Sequence, residues 1–389
     1  MSLTSFHLLT FIVILHFATI GISSPLISLY LQELGASYER IALILASFAA
    51  TSLLTNYFWG WLSDKTGRRK PLIVGALLGL VIAYALLSRA TTPEQAWRAW
   101  VWEGACRAAY LTASLALLGD LLGSQQRGNR VGLYRGLGSL AFAGAAVLGG
   151  RLADLYSLSA AFNVCVGFNG LAVIVSLFLR EAESPTIAVE AKVAEVEKRP
   201  LPLAFLGGVF LWLASWSAFT SMWPSFMNSL GYSKTTISSL WGFAALVEAP
   251  AMWLVGSVSD VIGRVPLLVA GALGISLIMA GYIFLSRWLP ALMAIQTVRG
   301  VVFASYTPTT MTFASEWGNQ RERGGHTGLF YAANDAGRLL GLFAGGHIVQ
   351  AFHFETLFVI CAVAGLLSGI SFWQLHRISR PGHVMGVNN

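Results

Sequence analysis

The chain has 389 residues, of which 56% are hydrophobic and only 11% charged, whereas a soluble domain carries about 25% charged residues. With a mean hydropathy of +0.66, this composition excludes an ordinary soluble protein and makes a lipid bilayer the main solvent. The excess of 25 Lys and Arg over 18 Asp and Glu is read as topology and contact with anionic lipid, not as a nucleic-acid surface.

Apolar runs of roughly 18 to 25 residues recur along the chain, each long enough to cross a hydrocarbon core of about 30 Å. They fall near residues 6–31, 40–62, 71–88, 98–119, 132–152, 160–179, 201–227, 236–258, 267–286, 291–314, 327–350 and 357–376. Isolated apolar segments of this length are helices, because only a helix satisfies its own backbone in lipid. The first run lacks a basic leader and is too long for a signal-peptide core, so it is taken as the first span. The expected fold is an all-α integral membrane protein of twelve transmembrane helices.

Residues 181–200 break the pattern. This stretch mixes Glu, Lys and Ala and ends on Pro200. It is expected to be a cytoplasmic linker between a six-helix bundle at 1–180 and a second at 201–389. With both termini in the cytoplasm, the inner segments hold fifteen Lys and Arg and the outer ones six, as the positive-inside rule requires. The expected location is therefore the cell membrane, multi-pass, with both termini cytoplasmic.

The two halves match at a constant offset of 196 residues. Gly60, Ser63, Asp64, Gly67 and Arg68 fall on Gly256, Ser259, Asp260, Gly263 and Arg264. Gly104 and Tyr110 fall on Gly300 and Tyr306, Asp120 on Glu316, and Gly149-Gly150 on Gly345-Gly346. Parallel six-helix repeats joined by a central loop are a transporter signature.

Between spans two and three stands Gly60-Trp61-Leu62-Ser63-Asp64-Lys65-Thr66-Gly67-Arg68-Arg69-Lys70, with a weaker copy at Gly256 to Arg264. This segment resembles the cytoplasmic loop motif of the major facilitator superfamily, and the resemblance covers essentially the whole chain. It implies two six-helix bundles that rock around a central site. It also implies a gating role for Gly60, Asp64, Gly67, Arg68, Arg69, Gly256, Asp260, Gly263 and Arg264, as a latch that favours one state. Glycines permit the tight turn, and Asp64 beside two arginines can form charge-assisted hydrogen bonds. Family antiporters often carry a Gly-Pro pair before the paired glycines of span five. Here Ala145-Ala146 stands in that place, and close helix packing is the competing explanation for Gly149-Gly150.

An ionisable side chain at mid-membrane costs roughly 2.5–3.5 kcal/mol on insertion scales and therefore marks function or a buried pair. Such residues are Glu103 and Arg107 in span four, Glu248 in span eight, Arg299 in span ten, and Asp335 with Arg338 in span eleven. Spans three, six, nine and twelve, which the family turns toward lipid, carry none. Glu248 has no basic residue within four positions and is the first candidate proton carrier, with Glu103 and Asp335 as the others. Glu103 and Arg107 are one helical turn apart and can equally neutralise each other. Candidate cavity residues are His16, Arg107, Tyr110, Trp212, Trp216, Arg299 and Tyr306. The stripe of Trp212, Trp216, Phe219 and Trp223 suits stacking on a ring or holding a cation, and suits packing as well.

No phosphate-binding loop, zinc signature or nucleophile elbow is present in the sequence, and the three cysteines lack ligand spacing. The chain is expected to be no enzyme, to use no cofactor and to bind no metal or nucleic acid. The expected partners are a small-molecule substrate, the lipid bilayer and protons, with the chain as a monomer. Function is expected to be secondary active transport of a small organic solute by alternating access. Proton-coupled efflux of a drug or sugar-like compound is the leading form. Uptake of a sugar, nucleoside or organic acid, or solute sensing, are the others.

Overall fold

The computed structural model describes residues 3–121, 127–180, 200–317 and 323–379. The linker expected at 181–200 lies, apart from Pro200, outside these residues. Among the described residues there are twelve helices. They are α1 (Leu3–Glu33), α2 (Tyr38–Thr66), α3 (Arg69–Leu87), α4 (Pro93–Leu121), α5 (Arg127–Leu155), α6 (Leu158–Ser176), α7 (Leu203–Ser229), α8 (Lys234–Ile262), α9 (Arg264–Leu285), α10 (Leu289–Glu316), α11 (Arg323–Ala351) and α12 (Phe354–Ser379). Ten are long and apolar enough to cross a membrane. The two that are not, α4 and α11, carry Glu103 with Arg107 and Asp335 with Arg338.

The repeat is written in the helix boundaries. The 196-residue offset carries both ends of α2 onto both ends of α8, and both ends of α5 onto both ends of α11. It extends into the packing. The thiol of Cys165 in α6 donates to the carbonyl of Thr19 in α1, and Cys361 in α12 donates to Ser215 in α7. Each partner is displaced by the same offset. Gly67 and Gly263 close α2 and α8 with positive φ, at 61° and 86°, and donate their N–H groups to Ser63 and Ser259. Only glycine adopts this backbone cheaply.

The chain divides into two compact units, residues 1–191 with 221–246, and residues 192–220 with 247–389. This division cuts α7 and α8, whereas composition alone suggests a boundary at the linker. The reason lies in contacts within the first unit. Both carboxylate oxygens of Asp154, at the end of α5, accept hydrogen bonds from the first turn of α8. The donors are the backbone N–H of Lys234 at 3.0 Å and of Thr235 at 2.7 Å. Ser233 caps Thr236 of the same turn. A helix start leaves four N–H groups without intrahelical partners, and here another helix supplies two of the acceptors. Below this cap the backbones touch. A Cβ on Gly150 would meet the Lys234 carbonyl oxygen at 2.7 Å, and one on Gly242 would meet that of Ala143 at 2.8 Å.

Helices within each unit approach through glycine. A Cβ on Gly21 of α1 would collide with the Phe142 carbonyl of α5. In the second unit, one on Gly341 of α11 would collide with the Ala214 carbonyl and the Ser217 hydroxyl of α7. Small residues at such crossings let dispersion contacts and weak hydrogen bonds form across lipid-embedded helices. Gly75, by contrast, has nothing within 4 Å of its Cβ position. Gly341→Ala is therefore expected to lower the thermal midpoint in detergent, at a cost of about 1–3 kcal/mol for overpacking. Gly75→Ala should leave the midpoint unchanged or raise it, since alanine is the better helix former by up to about 1 kcal/mol.

Candidate functional site

The loop motif is built twice, with one shift. In the first copy Arg69 donates to the Ser63 hydroxyl at 2.5 Å and reaches Asp120 of α4 at 3.5 Å. In the second copy Arg264 donates to the Ser259 hydroxyl and pairs with Asp260 at 2.8 Å. It also holds Glu316 of α10 through two nitrogens, at 3.3 and 3.1 Å. Arg264 is the repeat partner of Arg68, but in the first copy the neighbour Arg69 makes the contacts. The side chain of Asp64 lies outside the described residues. Each copy ties the end of the even-numbered helix of its own unit to the helix after next. Gly60 and Gly256 have open space around their Cβ positions, apart from Thr112 at 3.8 Å from that of Gly60.

In the first unit, Glu103 and Arg107 form a closed cluster. Glu103 is 1% exposed. Its Oε1 accepts from Arg107 Nε at 2.8 Å and from Arg107 Nη2. The Tyr84 hydroxyl of α3 donates to the same oxygen at 3.0 Å and lies 3.1 Å from the Ser23 hydroxyl of α1. Glu103 Oε2 has no hydrogen-bond partner. Arg107 also stands over the rings of Phe48 and Trp100, at 5.1 and 5.8 Å. The spacing of four positions anticipated the ion pair. Tyr84 and Ser23 were not anticipated, because a lone hydroxyl in an apolar span gives no periodic signal.

His16 is 1% exposed, and neither ring nitrogen has a hydrogen-bond partner. Its ring lies against Tyr110, with centroids 4.2 Å apart. The repeat equivalents of these two residues, Trp212 and Tyr306, stack in the second unit at 3.5 Å with their planes 1° apart. Trp212 is fully buried and donates from its indole to the Gly271 carbonyl of α9 at 3.2 Å. Trp216 stacks on its other neighbour at 4.9 Å. Tyr306 donates to Asn334 of α11 at 3.0 Å. Trp212, Trp216 and Phe219 of the stripe thus pack ring on ring inside the second unit.

Arg299 is 4% exposed and donates to Gln296 at 2.9 Å. Gln296 in turn donates to the Tyr282 hydroxyl at 3.3 Å. Glu248 behaves differently from Glu103. It is half-buried, and among the described residues it makes no hydrogen bond and no ion pair within 4 Å. The field of Arg299 is the one that reaches it. Asp335, also half-buried, feels Arg338 one turn on but forms no ion pair within 4 Å among the described residues. Among the described residues, one carboxylate of the three candidates is therefore locked, and two have no hydrogen bond or ion pair within 4 Å. No group of three or more His, Cys, Asp or Glu with metal-binding geometry occurs among the described residues.

A family profile described as Major Facilitator Superfamily matches residues 9–288 and 204–384. The chain is 25% identical over 400 residues to the multidrug resistance protein MdtG of Escherichia fergusonii, covering 95% of this chain and 93% of that one. It is 24% identical over 382 residues to a protein described as a candidate sugar efflux transporter in Deinococcus radiodurans, covering 95% and 97%. The crystal structure of the nucleoside transporter NupG superposes with a TM-score of 0.79 at 14% identity, over 96% of this chain and 99% of that one. The human organic anion transporter MFSD10 superposes with a TM-score of 0.62 at 16% identity, over 95% and 99%. At these identities the two structures speak to the fold.

Removing one partner of a buried ion pair costs about 3–5 kcal/mol, because the remaining charge is left uncompensated. Glu103→Gln is expected to lower the thermal midpoint sharply in detergent. The double variant Glu103→Gln with Arg107→Gln should recover much of the loss, which a double-mutant cycle of thermal midpoints checks.

Proposed function

The chain belongs to the major facilitator superfamily, a family of membrane transporters and not of enzymes, and from this we propose that it is a proton-coupled exporter of a small organic solute. Alternating access of two six-helix halves, residues 1–180 and 201–389, moves the solute across the cytoplasmic membrane. Both termini lie on the cytoplasmic side, a reading supported by the fifteen-to-six bias of basic residues. Export is supported by the relatives named for multidrug resistance and sugar efflux, both matched over nearly their whole length.

The observation that carries the coupling is the contrast between Glu103 and Glu248. A proton carrier must gain and lose its proton within the transport cycle. Glu103 is held by three donor contacts from Arg107 and Tyr84, so its charge is spent on structure. Among the described residues no donor bonds to Glu248, and the buried Arg299 acts on it through its field alone. A carboxyl without compensation in a low-dielectric site is poised to exchange its proton when water or a solute arrives. Pro250, two residues on, has no N–H and so leaves a carbonyl of α8 beside the exchanging group without its usual donor. Asp335 is the second carrier in this scheme, and Arg299 with Gln296 orients the polar end of the solute.

Reconstituted into proteoliposomes, the wild type is expected to accumulate or expel solute in response to an imposed pH gradient. Glu248→Gln should still exchange solute at equilibrium but lose gradient-driven movement by about tenfold or more, the scale of a lost general acid–base step. Gradient-driven transport at the wild-type rate in this variant contradicts the assignment. Reversing the gradient in the same assay distinguishes export from uptake.

A further inference from the structure

At the loop end of the first unit, a cavity of about 520 Å³ is lined by Arg68, Lys70, Pro71, Leu179 and Arg180. Of the five described lining residues three are basic and none is acidic. Lys70 is anchored at the rim, where its Nζ donates to the Leu177 carbonyl at 2.6 Å. Arg68 and Arg180 form no hydrogen bond or ion pair among the described residues. Among the described side chains of the loop motif, it is Arg69 and not Arg68 that engages Ser63 and Asp120.

The second copy of the loop motif borders a different cavity, of about 350 Å³, where Arg264 and Pro266 face Phe313, Glu316 and Trp317 at the end of α10. Its arginine is already paired with Asp260 and Glu316. Proline stands where the first half has Lys70.

The position of the cavity says what it can reach. Arg68, Lys70 and Pro71 stand at the start of the span Arg69–Leu87, and Leu179 and Arg180 follow the end of the span Leu158–Ser176. The basic cluster therefore lies where membrane-embedded helices meet the headgroup layer. We propose that this cavity is a binding site for a phosphate-bearing anion, with the phosphodiester of an anionic phospholipid as the occupant. Arg68 and Arg180 supply planar, multidentate donors and Lys70 a point charge, a combination suited to phosphoryl oxygens. Basic pockets between transmembrane helices hold lipid headgroups by this chemistry.

The test uses the full-length protein, delipidated in detergent, with phosphatidylglycerol, phosphatidylcholine or inorganic phosphate added. Lipid retention is read by native mass spectrometry and stability by thermal unfolding. The proposal predicts that phosphatidylglycerol is retained and stabilises more than phosphatidylcholine. It further predicts that Lys70→Gln with Arg180→Gln weakens the effect about tenfold or more, while Arg180→Lys keeps most of it. Stabilisation by inorganic phosphate that the same double variant abolishes assigns the site to free phosphate and overturns the lipid as occupant. Equal action of the two lipids with no effect of phosphate overturns the site itself. So does unchanged phosphatidylglycerol retention in the double variant. Arg180→Gln alone, an exposed position beyond the last turn of α6, provides the same readout if the double variant does not fold.

Discussion

Charge without water is the constraint on which the rest of this molecule depends. A charged side chain inside the hydrocarbon region must be met by an opposite charge or by donors from the protein itself. The Glu103–Arg107 pair meets that demand in full, with Tyr84 as a third member, and so fixes α3 against α4. Glu248 meets it only through the field of Arg299. The difference between a charge that is compensated and one that is nearly so separates a structural group from one that can change state.

The second determinant is the distance between helix backbones. Lipid offers no hydrophobic drive to bring helices together, so contact must come from close approach. Gly21 and Gly341 are crossing points at which any side chain meets a carbonyl of the neighbouring helix. Gly150 and Gly242 serve the same purpose at the start of α8, where the Asp154 carboxylate completes the first turn. These contacts explain why the start of α8 belongs to the first compact unit. They also give the paired glycines of α5 a packing role that stands without any appeal to antiport.

Ten of the twelve described helices were legible from hydropathy, and α4 and α11 carry the charges that lower theirs. Every apolar run corresponds to a helix, and Gly67 and Gly263 of the loop motif sit at helix ends with positive φ. The 196-residue repeat forecast more than its matched residues, since helix boundaries and thiol contacts obey it too. What stayed hidden was tertiary. Asp154 looks like an ordinary interfacial acid until α8 is placed beside it. Arg68 and Arg69 are indistinguishable in sequence, yet only the second reaches Ser63 and Asp120, because the turn at Gly67 points them differently. The tryptophans of α7 are spaced as a stripe, but stacking of Trp212 on Tyr306 requires a residue 94 positions away and leaves both rings buried.

The claim at the centre of this account is that Glu248 changes its protonation state while Glu103 does not. Infrared difference spectroscopy reads this directly, through the carbonyl band of a protonated carboxyl as the purified protein is taken from acid to alkaline pH. The account predicts a band that disappears on alkalinisation in the wild type, persists as a titrating band in a Glu103→Asp variant, and loses the Glu248 component in Glu248→Gln, leaving the contribution of Asp335. A titrating band that survives unchanged in Glu248→Gln contradicts it.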